Sequence, residues 1–276
     1  MDFVAALVPA ERIAGFPEQA LEYSSVHDDP RFDDHPRFRA FLAEPVLTLR
    51  PDLVLSDPWQ ARDTQERLRE AGVPVEVLPE IATLAEAREV LLSLGERLSV
   101  EDRARQLVAD IDARVIALEE RAARRGTPLR AMSYSNFGSA GFTAGSRTTV
   151  NEMMRLAGLE NLVASAGREG HVQVTFEELL GFDPDLILVS RPLKQDAGHA
   201  GDRGGASQDL LCSETSLAGL RAVREDRIIS LPAWLFATGS HELLGSAEVL
   251  SGEVDRLLAR LATLEGTSAA HSRAAR

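Results

Sequence analysis

The chain has 276 residues, of which 44% are hydrophobic and 26% charged, the proportions of a globular protein with a sizeable core rather than a disordered or fibrous one. Its formal net charge of −13 opposes phosphate backbones and anionic lipid, which argues against nucleic acid as a partner. Cys212 is the single cysteine, so no internal disulfide can form, and no apolar run approaches the ~20 residues that cross a bilayer.

Phe3 to Leu7 is helical in character, and the residues from Met1 show no basic region, long apolar stretch and small-residue cleavage site of a secretion signal. Glu44 to Leu55, EPVLTLRPDLVL, reads as a helix stopped by the approaching Pro51 and followed at once by a short apolar strand buried on both faces. Asp63 to Glu70 is a second helix, capped by Ala71-Gly72 and leading into a strand over Val73 to Leu78. Val100 to Arg125 carries Leu107, Val108, Ile111, Val115 and Leu118 at helical spacing, with no internal glycine or proline. With Ser99 as N-cap, Asp102 at N3, and Gly126 and Pro128 beyond its end, it predicts a helix of about 26 residues and about 39 Å, long enough to cross between two lobes.

Beyond it, Leu129 to Ser135 predicts a strand, Thr149 to Ala157 a helix ended by Gly158, and Leu186 to Ser190 and Arg227 to Leu231 two further strands. Glu177 to Leu188, EELLGFDPDLIL, repeats the first αβ step in register, with Pro184-Asp185-Leu186 on Pro51-Asp52-Leu53. The expected division is an N-terminal lobe over residues 1–98, a linker helix over 99–126, a C-terminal lobe over 127–264 and a small, polar, disordered tail over 265–276.

Signatures of catalysis are missing: there is no GxSxG, GxxxxGK[ST], HExxH or CxxC. The glycine-rich stretch Asn136 to Gly145 reads as a loop after a strand, either a rim that lets amides approach a ligand or a long βα connection. Trp59, Tyr134, Phe137, Phe142, Trp234 and Phe236 fall at or just after predicted strands, so they gather at strand C-terminal ends, where they would grip a flat or macrocyclic ligand or fill core space. His27-Asp28-Asp29 and Asp33-Asp34-His35 are metal-ligand types on loop spacing, and a solvated acidic loop explains them better than a metal site. His171, His199 and His241 are scattered singly and read as ordinary surface or core residues.

Taken in order, LTLRPDLVLSDPW (Leu47 to Trp59), the helix Val100 to Arg125, TTVNEMMRLAGLENLV (Thr148 to Val163), TFEELLGFDPDLILVS (Thr175 to Ser190) and RIISLPAW (Arg227 to Trp234) resemble the periplasmic substrate-binding proteins of ABC transporters for iron-siderophores, haem and cobalamin. The resemblance runs from about Asp2 to Ala262. It implies an α/β fold of two Rossmann-like lobes with parallel sheets joined by one long backbone helix. It further implies a monomer without cofactor or catalysis, which captures a metal chelate or corrinoid between the lobes and delivers it to a membrane permease in the periplasm or cell envelope. The six aromatics carry over as cleft residues, and Asp63 and Glu242 stand near the positions of the glutamates with which relatives dock to permease arginines. Relatives begin with a signal peptide and one more strand, whereas Met1-Asp2 leads almost directly into what resembles the family's first helix, with Ala10 to Gly15 following it, so the first strand is expected to be missing. A cytoplasmic ligand sensor or metallochaperone on the same scaffold is the competing expectation.

Overall fold

The two αβ steps that echo each other in sequence are built alike. In the computed structural model, which describes residues 1–137, 140–191, 205–236 and 238–274, each helix ends on a left-handed residue immediately before proline: Arg50 at φ 50° and Asp183 at φ 41°. A residue in that conformation terminates the helix, and the following proline cannot resume it, so the chain enters a strand within a few residues.

The N-terminal lobe contains α1 (Asp2–Leu7), β1 (Phe16–Pro17), α2 (Ala20–Tyr23), β2 (Arg37–Phe38), α3 (Ala43–Thr48), β3 (Val54–Ser56), α4 (Arg62–Glu70), β4 (Val75–Val77) and α5 (Leu84–Arg97). Its strands form two separate parallel pairs, β1 with β2 and β3 with β4. Next comes α6 (Glu101–Ala123), the long helix, whose N-cap is Val100 without a side-chain cap. Ser99 is not the cap that its spacing suggested: at φ 57° it is the left-handed residue that turns the chain out of α5.

The C-terminal lobe contains β5 (Arg130–Phe137), β6 (Ala140–Ala144), α7 (Thr149–Leu156), β7 (Glu160–Asn161), α8 (Leu162–Ser165), β8 (His171–Val174), α9 (Phe176–Phe182), β9 (Leu186–Arg191), α10 (Gly205–Ser213), α11 (Arg221–Arg224), β10 (Ile228–Pro232), α12 (Ala233–Phe236) and α13 (Leu243–Ala274). The sheet order is β10-β9-β5-β6-β8, with β7 on β5, and β6 alone is reversed, pairing antiparallel with both β5 and β8, so the fold is mixed α/β with a parallel centre. The stretch expected to be a glycine-rich loop is therefore part of a hairpin. Gly141 is there for close approach, since a Cβ on it would stand 2.8 Å from the Tyr134 ring and 2.8 Å from the Val174 carbonyl oxygen. The tail expected to be disordered continues α13 to Ala274, because it is rich in alanine and has no proline to stop the helix.

One hydrophobic cluster passes through all three parts: Phe3, Leu91 and Leu94 from the N-terminal lobe, Ala104, Ile111 and Leu118 from α6, and Met153, Leu244 and Leu250 from the C-terminal lobe. A second, smaller core fills the space under β5 and β9. Polar contacts span the same junction. The Leu84 amide donates to Glu152 Oε1 of α7 at 3.4 Å. Arg114 is bidentate to Glu248 of α13, at 2.9 and 2.6 Å, and Arg121 reaches Asp255 at 2.6 Å.

Candidate functional site

The elements that follow the C-terminal ends of β1 and β10, α2 and α12, lie against each other. At that junction the His27 ring, from the loop after α2, stands 5.0 Å from the Trp234 ring of α12, tilted by 58°. His27 is held from both sides, with Nδ1 2.9 Å from the Ser24 carbonyl oxygen and Nε2 3.0 Å from Asp28.

Near this contact lies a polar knot that no spacing of residues announces. The Asp2 carboxylate, 7% exposed, accepts from Ser24 Oγ at 2.6 Å, the Ser25 amide at 2.9 Å, Ser25 Oγ at 2.8 Å and Ser240 Oγ at 2.9 Å. It thereby ties α1, the loop after α2 and the segment after α12 together. Burial pushes the Asp2 carboxyl up, but the Met1 ammonium and the serine donors outweigh it and hold the pKa below the ordinary aspartate value. His241 packs its ring 5.5 Å from Phe3 and has a buried Nδ1 with no hydrogen-bond partner among the described residues; burial lowers its pKa to about 4. Glu242 moves the opposite way, raised by burial and then by the Asp2 charge against the pull of Arg114.

The expected aromatic set divides. Trp59, just after β3, is 77% exposed, whereas Trp234 and Phe142 are half-buried and Phe236 packs against the main core. Tyr134 is 1% exposed inside the second core, where burial raises its phenol pKa, so its ring is a packing element rather than a cleft wall. β5 is buried on both faces over Ala131 to Tyr134, and the Tyr134 ring closes onto Gly141 of β6. The Phe137 side chain and His199 lie outside the described residues.

The two expected docking acids also differ. Asp63 is exposed on the first turn of α4, while Glu242 is half-buried beside His241, where burial raises its pKa. His27 and His35 do not converge. His35 Nε2 bonds the Ile13 carbonyl and its ring stacks 5.8 Å from Phe16, and no group of three or more metal-ligating side chains assembles among the described residues.

A cavity of about 1050 Å³ opens in the N-terminal lobe between the strand pairs, lined by Phe16, Phe38, Val54 and Ser56 among others.

With this geometry, the comparisons are consistent. The sequence profile described as periplasmic binding protein matches residues 26–235. An uncharacterized ABC transporter substrate-binding lipoprotein of Bacillus subtilis is 24% identical over 216 residues, which is 76% of this chain and 64% of that protein, so the chain spans under two thirds of that relative's length. Among solved structures, the apo periplasmic heme-binding protein RhuT of Roseiflexus sp. RS-1 superposes with a TM-score of 0.74 at 23% identity, covering 91% of this chain and 92% of that one. A periplasmic heme-binding protein of Pseudomonas aeruginosa gives 0.73 at 25% identity, covering 91% and 88%.

Proposed function

The chain belongs to the periplasmic binding protein family, and from that premise we propose that it is the solute-binding component of an ABC importer. It captures an iron-siderophore, haem or cobalamin-type ligand in the interlobe cleft, without turnover, and presents it to a permease in the cell envelope. The observation that carries this reading is the placement of two tryptophans at strand ends of opposite lobes: Trp59 after β3, largely exposed, and Trp234 after β10. Exposed indole is costly to leave in water, and a pair of such faces suits a large, flat, partly apolar ligand.

Haem is the member of the class that the cleft supports best. The His27 imidazole beside Trp234 would offer Nε2 to iron on leaving Asp28, with Nδ1 held by the Ser24 carbonyl, and proteins named for haem binding share this fold. Asp63, exposed on α4, is the acid offered to a permease.

Haemin, cyanocobalamin and a ferric hydroxamate, titrated separately while tryptophan fluorescence and visible absorption are followed, test the reading. Haemin is expected to quench fluorescence saturably and to shift its own main absorption band, with His27→Ala abolishing the band shift while leaving some quenching. If none of the three ligands quenches either tryptophan, the capture role is refuted.

A further inference from the structure

One buried carboxylate stands behind both rings of the contact between His27 and Trp234. α1 buries Phe3, Ala5 and Leu7, and Asp2 is buried with them. An apolar residue would pack there at lower cost, because a buried carboxylate must recover its lost hydration from hydrogen-bond donors. Asp2 has four of them, three on Oδ1 from Ser24 and Ser25 and one on Oδ2 from Ser240.

The Oδ1 side governs His27. Ser24 and Ser25 open the single 3-10 turn Ser25–Asp28 that carries the histidine, and that turn holds itself weakly. The His27 amide reaches the Ser24 carbonyl only at 3.5 Å, and the Asp29 amide reaches the Val26 carbonyl at 3.3 Å. Val26, fully buried, fixes how deep the turn sits but not how it is rotated. Two serines clamped on one carboxylate oxygen set the rotation, which aims the Ser24 carbonyl at His27 Nδ1, 2.9 Å away. A carbonyl only accepts, so Nδ1 carries a proton, and Nε2 is the nitrogen left to a ligand; its partner Asp28 is 82% exposed and replaceable by water.

The Oδ2 side governs Trp234. Ser240 Oγ donates to Asp2 and accepts from the Glu242 amide at 3.2 Å, which caps the start of α13. The Thr238 hydroxyl donates to the Trp234 carbonyl and lies 3.3 Å from Ser246 Oγ of α13. The segment bearing Trp234 is thereby fastened to the start of α13, and the start of α13 to Asp2.

We propose that Asp2 is a positioning residue of the ligand site: its carboxylate sets the His27 imidazole with Nε2 as the available nitrogen and holds that ring in register with Trp234 on the opposite lobe. Its purpose, though not its geometry, rests on the capture reading. A buried network whose members are all satisfied specifies one arrangement, which is what a ligand contact shared by two lobes requires.

Two experiments on the full chain test this. Without ligand, long-range proton–nitrogen NMR of the His27 ring in mildly basic buffer reads which nitrogen carries the proton. The parent should show the Nδ1–H form, and so should Asp2→Asn, whose amide keeps an acceptor for Ser24 and Ser25 and a donor for Ser240. Asp2→Ala should show a mixture with Nε2–H. With haemin, tryptophan quenching gives affinities for a double-mutant cycle. Asp2→Ala should weaken haemin binding about tenfold or more in the parent, with Asp2→Asn restoring most of it, but less than about twofold when His27 is already alanine. Ser240→Ala, which cuts the Oδ2 side alone, should leave the tautomer unchanged and weaken binding about threefold or more, an effect absent when Trp234 is already alanine. An unchanged tautomer in Asp2→Ala overturns the proposal, as do equal losses with and without His27, because Asp2 would then act on the fold as a whole. Equal Ser240→Ala losses with and without Trp234 overturn its second half. If the parent does not bind haemin, the capture reading fails by itself, and the ligand-free experiment still decides whether Asp2 positions the ring. Should Asp2→Ala not fold, Ser24→Ala removes the 2.6 Å bond, keeps the carbonyl and takes its place in both experiments with the same expectations.

Discussion

Acidification should weaken this fold through His241, and the size of the effect follows from its surroundings. The ring is 9% exposed, packs against Phe3, and leaves Nδ1 unpartnered, so a proton on it would be a buried charge. Burial lowers its pKa from 6.5 to about 4; the Asp2 charge resists, and the Met1 ammonium and Arg114 reinforce it. In the unfolded chain the imidazole accepts its proton as the pH falls through about 6.5, while in the folded protein it stays neutral until about 4. The unfolded state therefore binds more protons across that window, and stability is full above it and declines as the pH falls through it. The loss is close to 1.4 kcal/mol per pH unit, about 3 kcal/mol in all. Glu242 acts with the opposite sign: its raised pKa favours the folded state at low pH, and that contribution fades as the pH rises. His241→Phe keeps a ring against Phe3 and removes only the titration, so the difference between the two proteins isolates the histidine. Urea unfolding at pH 7.0, 5.5 and 4.5 should give His241→Phe a stability equal to or above the parent at pH 7. The gap should widen by about 2.4 kcal/mol between pH 7.0 and 4.5, most of the full effect. Parallel pH profiles for the two proteins would refute the burial argument.

The remaining expectations are briefer. Trp59→Ala and Trp234→Ala should each weaken ligand binding by about 1 to 3 kcal/mol, read by the fluorescence of the tryptophan that remains; unchanged titrations in a folded protein would remove both from the cleft. Gly141→Ala should destabilise by about 1 to 3 kcal/mol, because its methyl group meets the Tyr134 ring and the Val174 carbonyl, and thermal unfolding would show it. Ligand should change the radius of gyration only slightly in solution scattering, since Ile111 and Leu118 of α6 share one core with both lobes, and a change of several ångströms would contradict this.

What could be read from the sequence is what local chemistry alone decides. The αβ steps were legible because Pro51 and Pro184 end a helix whatever the rest of the chain does, and the apolar runs behind them have one stable use. The hairpin of β5 and β6 was not, because glycine marks a flexible loop and a close packing contact with the same letter, and only the Tyr134 ring distinguishes them. Tyr134 itself looked like a cleft residue because nothing local says how far along β5, a strand buried on both faces, the burial extends. Asp2, Ser24 and Ser240 were invisible as a group, since a knot joining positions more than two hundred residues apart leaves no spacing to detect.

The ion pairs between α6 and α13 set the alignment of the two helices more than their attraction. Arg114 with Glu248 and Arg121 with Asp255 are each seven residues apart on their own helix, in the same direction, so the helices run parallel with rungs about 10.5 Å apart. Both rungs are about half exposed and contribute little to stability individually. Their shared spacing nevertheless makes the pair intolerant of changes in length. One residue inserted between Glu248 and Asp255 would swing the second acid about 100° around its helix, away from Arg121 and Arg125 together. Point substitutions on this seam should accumulate among homologous sequences, while insertions and deletions between the rungs should be nearly absent.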